Sequence, residues 1–380
     1  MGASRDERPA VITIPQDLLP RDGHFGAGPS KVRPEQLAAL ASRGADLLGG
    51  SHRQAPVKQL VASVQDGLTE LLRLPEGYQV VLGNGGATAF WSVATFGLVR
   101  DRAQHLVLGE FSRKFSKLTA GAPFLAEPEI VEVPAGQGAR CHATAGVDVY
   151  AWPHNETSTG VMLPVERVEG ADQDALVVVD ATSGAAGIDV DLDQCDVYYF
   201  SPQKGFASDG GLWFAVMSPA AIERARQVAA TDRWIPDVLS LTTAIDNSVK
   251  HQTYNTPAIS TLILMDEQIR WINEQGGLSW ASARTADSAA RLYEWAEKTP
   301  WASPFVPDPA LRSQVVGTID LDDQVDAERV IAELAANGVL DVFGYRALKR
   351  NQIRVGMFPA VDPDDVTRLT RCVEHVLSQL

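Results

Sequence analysis

Between about residues 30 and 270, short apolar runs alternate with longer stretches whose apolar positions recur at helical spacing. The runs are "YQVVLGN", "HLVLGEF", "VDVYAWPHNET", "ALVVVDATSG", "DVYYFSPQKG" and "GGLWFAVMS", with stretches such as "TAFWSVATFGLV" between them. Short apolar runs that end on Gly, Asn, Asp or Ser read as strands, and the intervening stretches as helices. Strands alternating with helices predict a largely parallel sheet covered on both faces, an α/β fold. Ligands of such sheets bind beyond the carboxyl ends of the strands, so the polar residues that follow each run are the ones to inspect for chemistry.

The pattern changes after about residue 275. "GGLSWASARTADSAARLYEWAEKTP" predicts a helix, "SQVVGTIDL" a strand, "DAERVIAELAANGV" a helix, "NQIRVGMFP" a strand and "DPDDVTRLTRCVEHVLSQL" a final helix. The expected organisation is an N-terminal segment (1–28), a large mostly parallel-sheet domain (29–274) and a smaller α+β domain (275–380). No internal repeat or low-complexity segment interrupts it, and "PAGQGARCHATAG" at 134–146 reads as a surface loop.

Composition narrows the function classes. The 380 residues suffice for two domains, or for one large domain with a smaller attachment. A net charge of -15 disfavours nucleic acid and anionic membrane surfaces, so an anionic ligand must meet specific arginines. Cys141, Cys195 and Cys372 are odd in number, widely spaced and free of any CxxC, which predicts neither a disulfide framework nor a metal site. The N-terminus "MGASRDERPAVITIP" has no apolar core of a secretory signal, and no apolar run approaches the roughly 18 residues of a membrane span. A cytoplasmic location is expected.

Three features then converge. "VVVDATSG" ends an apolar strand on Asp180, and "VYYFSPQKG" ends another with Lys204. An acid and an amine at neighbouring strand ends read, on their own, as a simple ion pair. "LGNGGATAFW", residues 82–91, adds a strand end, a glycine pair and a helix start, whose backbone N–H groups suit a phosphate. It fits neither GxGxxG nor GxxxxGK[ST], and alone it is a tight turn. Together the three are the parts that pyridoxal phosphate needs: an amine for a Schiff base, an acid for the pyridinium nitrogen and a cradle for the phosphate. An enclosed site also lowers the pKa of a lysine toward the neutral amine.

At this point the chain resembles a known family, the phosphoserine aminotransferases of actinobacterial type. They are class V, fold-type I pyridoxal-phosphate transferases with a large mostly parallel-sheet domain and a smaller α+β C-terminal domain. The resemblance runs through "FGAGPSKVRPEQL", "SHRQAPVK", "LGNGGATAFW", "HNETSTGV", "VVDATSG", "PQKGFASDGGLW", "QTYNTPAI" and "RVGMFPAV". It implies Lys204 as the catalytic Schiff-base lysine, Asp180 as the pyridinium partner and Thr157 as a donor to the ring hydroxyl. It implies Ala87, Thr88 and Gln203 around the cofactor phosphate, and Phe111 as the aromatic residue stacked on the ring. Asn255 and Thr256 resemble the pair that reaches the cofactor phosphate of a neighbouring subunit, which implies a homodimer. His52 and Arg53 resemble residues that hold the distal phosphate or carboxylate of the substrate, with Arg346 as a helper. Arg354 resembles the arginine that clamps the α-carboxylate. The implied reaction is reversible amino transfer between L-glutamate and 3-phosphohydroxypyruvate, giving 2-oxoglutarate and O-phospho-L-serine in serine biosynthesis.

Some positions depart from the commoner bacterial pattern. Thr88 stands where many members carry an arginine, so the cradle should lean on backbone donors and a hydroxyl. Tyr345 replaces a histidine before Arg346, leaving Lys349 or Arg350 as further candidates for the distal anion. Gly205 replaces the usual asparagine after Lys204, a change of loop shape more than of chemistry. The rivals within the fold are a cysteine desulfurase, for which Cys195 and Cys372 are poorly placed, and an aminotransferase with another acceptor. A non-catalytic sensor of the cofactor or of a phosphorylated metabolite is the rival from another class.

Overall fold

Seven strands build the central sheet of the chain, which a computed structural model describes over residues 12–380. They are β1 (Gln79–Asn84), β2 (Ala103–Val107), β3 (Glu129–Glu132), β4 (Val149–Pro153), β7 (Leu176–Asp180), β8 (Val197–Phe200) and β9 (Leu212–Met217); β5 (Asn155–Glu156) and β6 (Val161–Met162) form a separate two-stranded ladder. Their order is β1-β9-β8-β7-β4-β2-β3. Pairings from β8 across to β3 are parallel, as expected, and β9 alone runs against its neighbours. The reason is local. β8 and β9 are joined by only the loop 201–211, too short for the crossover that a parallel partner needs, so the chain turns straight back. That turn carries Lys204.

The described helices are α1 (Pro34–Leu47), α2 (Ala55–Leu71), α3 (Gly86–Gly97), α4 (Glu110–Ala120), α5 (Pro219–Ala229), α6 (Leu241–Ser248), α7 (Ile259–Gln275), α8 (Gly277–Lys298), α9 (Ala327–Ala336) and α10 (Pro363–Gln379). Alternate residues of each central strand face opposite sides. On β7, Val177 and Val179 join the core beneath α2 and α7, whereas Leu176 and Val178 join the core beneath α3, α5 and α6. Burial on both faces explains why these strands read as unbroken apolar runs.

A second, antiparallel sheet of β10 (Ala302–Pro304), β11 (Val316–Leu321) and β12 (Gln352–Gly356) packs with α8, α9 and α10 around its own core. Residues 12–27 also lie over this unit. Ile12 N donates to the Glu333 carboxylate at 2.8 Å, Gly356 N donates to the Phe25 carbonyl at 2.7 Å, and Ile14 and Phe25 enter the core. The first 11 residues of the expected 1–28 segment, and with them most of "MGASRDERPAVITIP", lie outside the described residues. The small sheet meets the large unit at the turn between β5 and β6, where Thr318 Oγ1 donates to the Thr159 carbonyl and neighbouring β12 brings Arg354 to the Thr157 carbonyl. Among the described residues no helix is long and apolar enough to cross a membrane.

Candidate active site

The carboxyl ends of β1, β2, β4, β7 and β8 open into a cavity of 480 Å³. Lys204 lies at its centre, 6% exposed, four residues past the end of β8. Its position is enforced from two sides. Ser30 Oγ and Ala207 N both donate to the Lys204 carbonyl, at 2.6 and 2.8 Å. Gly28, with φ +146°, leaves room for the alkyl chain: a β-carbon there would come within 2.8 Å of Lys204 Cε. Gly205 is required for a similar reason, since its missing β-carbon would sit 2.1 Å from the Ala185 carbonyl oxygen.

Lys204 Nζ donates to Thr157 Oγ1 at 2.7 Å, and that hydroxyl donates to Ser183 Oγ at 2.9 Å. Ser183 in turn donates to the Asn155 carbonyl and accepts from Asn155 Nδ2, so the chain of hydroxyls has one fixed direction. Burial lowers the pKa of Lys204 to about 8, with Asp180 opposing the shift and the positive Arg354 adding to it. An ordinary lysine would be almost fully protonated at neutral pH; this one keeps a usable fraction of free amine.

Asp180 is the last residue of β7. Trp91 Nε1 and the Tyr199 hydroxyl both donate to its Oδ2 at 3.0 Å, and Thr182 N donates to Oδ1 at 2.9 Å. Three donors from three elements fix the carboxylate in orientation. Opposite lies the start of α3, where Gly85 and Gly86 take φ values of +107° and +71° that only glycine adopts without strain. The turn exposes the helix N-terminus with Ala87 and Thr88 to the cavity, and Ser201 Oγ accepts from Ala87 N at 2.5 Å.

Phe111 forms a wall of the cavity from the first turn of α4. The helix is anchored by Glu156, which is wholly buried and accepts from Phe111 N, Ser112 N and the hydroxyls of Ser112 and Ser158. Arg354, 8% exposed, completes the lining.

Of the residues singled out in the sequence, Lys204, Asp180, Thr157, Ala87, Thr88, Phe111, Gln203 and Arg354 all line this one cavity. His52, Arg53, Asn255, Thr256 and Arg346 do not. Four of these gather elsewhere: His52 Nδ1 and Thr256 Oγ1 are 3.3 Å apart, Arg53 Nη1 donates to Gln252 Oε1, and Asn84 Nδ2 donates to the Asn255 and Thr256 carbonyls. Burial and the adjacent Arg53 lower the pKa of His52. Arg346 is exposed at the start of a short 3₁₀ turn, and Lys349 closes that turn with φ +50°. Arg350 is already engaged, holding Asp320 through two guanidinium nitrogens and lying over Phe305.

Trp91, Tyr199, Ser183, Ser201, Asn155 and Asp209 were not singled out. A signal existed for two of them. Trp91 lies one helical turn after Ala87, hence on the same face of α3, and Tyr199 pairs directly with Asp180 in the parallel register. The serines follow strands in irregular loops and carry no periodic signal.

The cavity accepts a polar occupant. Asn155 Oδ1, Thr182 Oγ1, Gln203 Oε1 and Arg354 Nε are buried, line it and have no hydrogen-bond partner among the described residues. Such atoms are costly unless a ligand satisfies them. An amine, an oriented carboxylate on the adjacent strand and a glycine-opened helix terminus match pyridoxal phosphate group by group.

Comparison with known proteins agrees. The sequence profile described as Aminotransferase class-V matches residues 137–369. Phosphoserine aminotransferase of Rhodococcus opacus is 57% identical over 97% of this chain and 98% of its own. The solved phosphoserine aminotransferase of Cytophaga hutchinsonii superposes with a TM-score of 0.86 at 24% identity, over 93% of this chain and 99% of that one. The pyridoxal-phosphate-bound phosphoserine aminotransferase of Trichomonas vaginalis gives 0.79 at 19% identity, over 93% and 100%. The chain therefore belongs to the class-V aminotransferases, within their phosphoserine aminotransferase family, and is a pyridoxal-phosphate-dependent transaminase.

Proposed function

We propose that the protein moves an amino group reversibly between L-glutamate and 3-phosphohydroxypyruvate, releasing 2-oxoglutarate and O-phospho-L-serine. The observation that carries the proposal is the joint placement of a buried lysine with a pKa of about 8, a triply held Asp180 and a buried Arg354 on one cavity. The relatives' names supply phosphoserine and the transfer of its amino group, and the family resemblance supplies glutamate and the keto acids.

Lys204 would hold pyridoxal phosphate, with Asp180 at the pyridine nitrogen, Thr157 at the ring hydroxyl and Phe111 against the ring. The phosphate falls to the α3 terminus at Ala87 and Thr88, with Gln203 and Ser201 beside it. When bound, the cofactor supplies an electron-accepting ring and a carbonyl carbon that takes up the amino group. The chain's own groups then bind, orient and move protons. Arg354 forks onto the substrate α-carboxylate through two parallel hydrogen bonds, which fixes the Cα–H direction. Lys204 Nζ, neutral in useful amount, takes the proton from Cα and returns it one position along, as a general base and then a general acid. Thr157, itself fixed by Ser183, accepts from that amine and sets its resting position.

The distal end of the substrate needs another source of charge. Lys204 and Arg354 are the cationic residues lining the cavity, and Asp180 and Asp209 offset them. A phosphorylated substrate beside a phosphorylated cofactor therefore calls for cations from elsewhere. We assign them to His52 and Arg53 of a second copy, with Arg346 helping from the rim, and we assign Asn255 and Thr256 to the second copy's cofactor phosphate. On this reading the working unit is a homodimer. The three unpaired thiols suit a cytoplasmic location.

A desulfurase reading fails on position. No cysteine lines the cavity; Cys195 and Cys372 are buried, and burial raises the thiol pKa of both, Cys372 to about 11. The test is spectroscopic. Glutamate should bleach the cofactor's visible absorbance in the purified protein, and 3-phosphohydroxypyruvate should restore it. Bleaching that only a different keto acid reverses would replace the acceptor, and binding of cofactor with no response to glutamate would favour the sensor.

A further inference from the structure

Arg354 is almost fully buried, yet among the described residues no carboxylate pairs with it. Nη1 donates to the Thr157 carbonyl at 3.2 Å, and Nε has no partner. A buried guanidinium held by one hydrogen bond needs a further anchor, or it swings away from the position an incoming carboxylate requires. Among the described residues the other group against it is an aromatic face: Arg354 Cζ lies 5.3 Å from the ring centroid of Tyr345. Tyr345 packs in turn on Phe111 at 5.8 Å, and the Phe111 ring lies 5.2 Å from Lys204 Nζ. Lys204, Phe111, Tyr345 and Arg354 thus form a row of two cations with two rings between them.

Tyr345 has a second boundary role. It lines the 480 Å³ cavity and also a neighbouring cavity of 200 Å³ bounded by Leu108, Glu110, Arg113 and Leu348. Among the described residues it is the one that lines both. A smaller side chain there would leave less bulk around Arg354, and a guanidinium–carboxylate pair weakens steeply when water enters.

We propose that Tyr345 is a positioning residue for Arg354, holding the guanidinium by its ring face so that the full positive charge stays available to the substrate carboxylate. An acidic residue in its place would orient the arginine equally well but would compete with the substrate. A π face attracts the cation without neutralising it. The hydroxyl of Tyr345 makes no hydrogen bond among the described residues, so the ring carries the role.

The inference rests on the assignment of Arg354 to the α-carboxylate, and the experiment separates the two. The holoenzyme is titrated calorimetrically with glutarate, a dicarboxylate with no amino or keto group, in wild type, Tyr345→Phe, Tyr345→Leu and Arg354→Gln. Steady-state constants, melting temperature and cofactor absorbance are recorded alongside. Tyr345→Phe should bind within about 2-fold of wild type, and Tyr345→Leu should bind about 10- to 30-fold more weakly, as the loss of a desolvated cation–π contact requires. Tyr345→Leu should also raise KM for amino donor and keto acid alike, with kcat within about 3-fold, because the lost restraint acts on binding. Arg354→Gln should weaken glutarate at least as much. Weak binding by Arg354→Gln with unchanged binding by Tyr345→Leu overturns the role of Tyr345 alone. Unchanged binding by Arg354→Gln overturns the assignment of Arg354 itself. Equal loss in Tyr345→Phe and Tyr345→Leu would move the role to the hydroxyl and overturn the ring argument. Should Tyr345→Leu fail to fold, Tyr345→Met gives the same reading, since it keeps bulk without the π face.

Discussion

The floor of the cavity and its rim are built on different principles. On the floor, Lys204, Thr157 and Ser183 follow the ends of buried strands and are linked by hydrogen bonds of 2.7 and 2.9 Å, and Asp180 is held separately by Tyr199 and Trp91 at 3.0 Å. At the rim, Arg53, Arg346, Asn255 and Thr256 are exposed, lie on loops and turns, and do not line the cavity. The floor is complete within one chain. On the proposed reading the contrast separates two halves of the function: bond-making chemistry set by the sheet, and selection of the distal anion by groups that a single chain does not bring to the cavity.

That contrast can be broken or sharpened by substitution. On the proposed reading Lys204→Ala removes both the cofactor attachment and the proton carrier, so turnover should fall by at least about 10⁴-fold, the scale of losing a positioned acid–base group. Stopped kinetics with added cofactor check it, and residual turnover above one per cent would mean that another group on the floor carries the proton. Changing pH should act on the same amine more gently. Burial disfavours its cation, so the folded value of about 8 lies below the usual lysine range, and the neutral fraction grows as pH rises to that point. The rate at which cofactor-free protein captures pyridoxal phosphate should climb about tenfold per pH unit below 8 and level off above it. A rate flat from pH 6 to 9 would contradict the burial argument. The mildest effect is expected from Tyr199→Phe, which takes one of three donors from Asp180. Losing one hydrogen bond of about 1 kcal/mol should lower kcat roughly 5-fold with little change in KM for either substrate. A large rise in KM instead would place Tyr199 in substrate binding.

Legibility in the sequence followed the same division. Asp180 and Lys204 could be found because each ends a run of buried apolar residues, and a polar group directly after such a run must face the open end of a parallel sheet. The cradle was legible because Gly85 and Gly86 are demanded by positive φ angles. The antiparallel sense of β9 was hidden, since an apolar run says nothing of direction; it follows from the shortness of the loop that carries Lys204. Trp91 and Tyr199 passed as core residues, which by burial they are; the helical spacing of Trp91 from Ala87 placed it on the cavity face, but the aim of both polar atoms at Asp180 shows only in three dimensions. Packing of residues 12–27 on the C-terminal unit joins positions more than 300 apart, such as Ile12 and Glu333, and no local pattern encodes that. His52, Arg53 and Arg346 carried no signal beyond family resemblance, because an exposed cation at a rim looks like any solvated charge.

The most direct test of the division between floor and rim uses mixed dimers. Lys204→Ala protein, inactive with an intact rim, is dissociated and reassociated with Arg53→Ala protein, which keeps its floor but should show a KM for O-phospho-L-serine raised about 10-fold or more by loss of a charge contact. If Arg53 acts across the interface, each hybrid contains one site with an intact lysine and an intact arginine, and a component with wild-type KM should appear at up to about half of the wild-type turnover per hybrid. If only the weakened KM of the Arg53→Ala parent is seen at every mixing ratio, the arginine serves its own chain's site and the account of the rim is wrong.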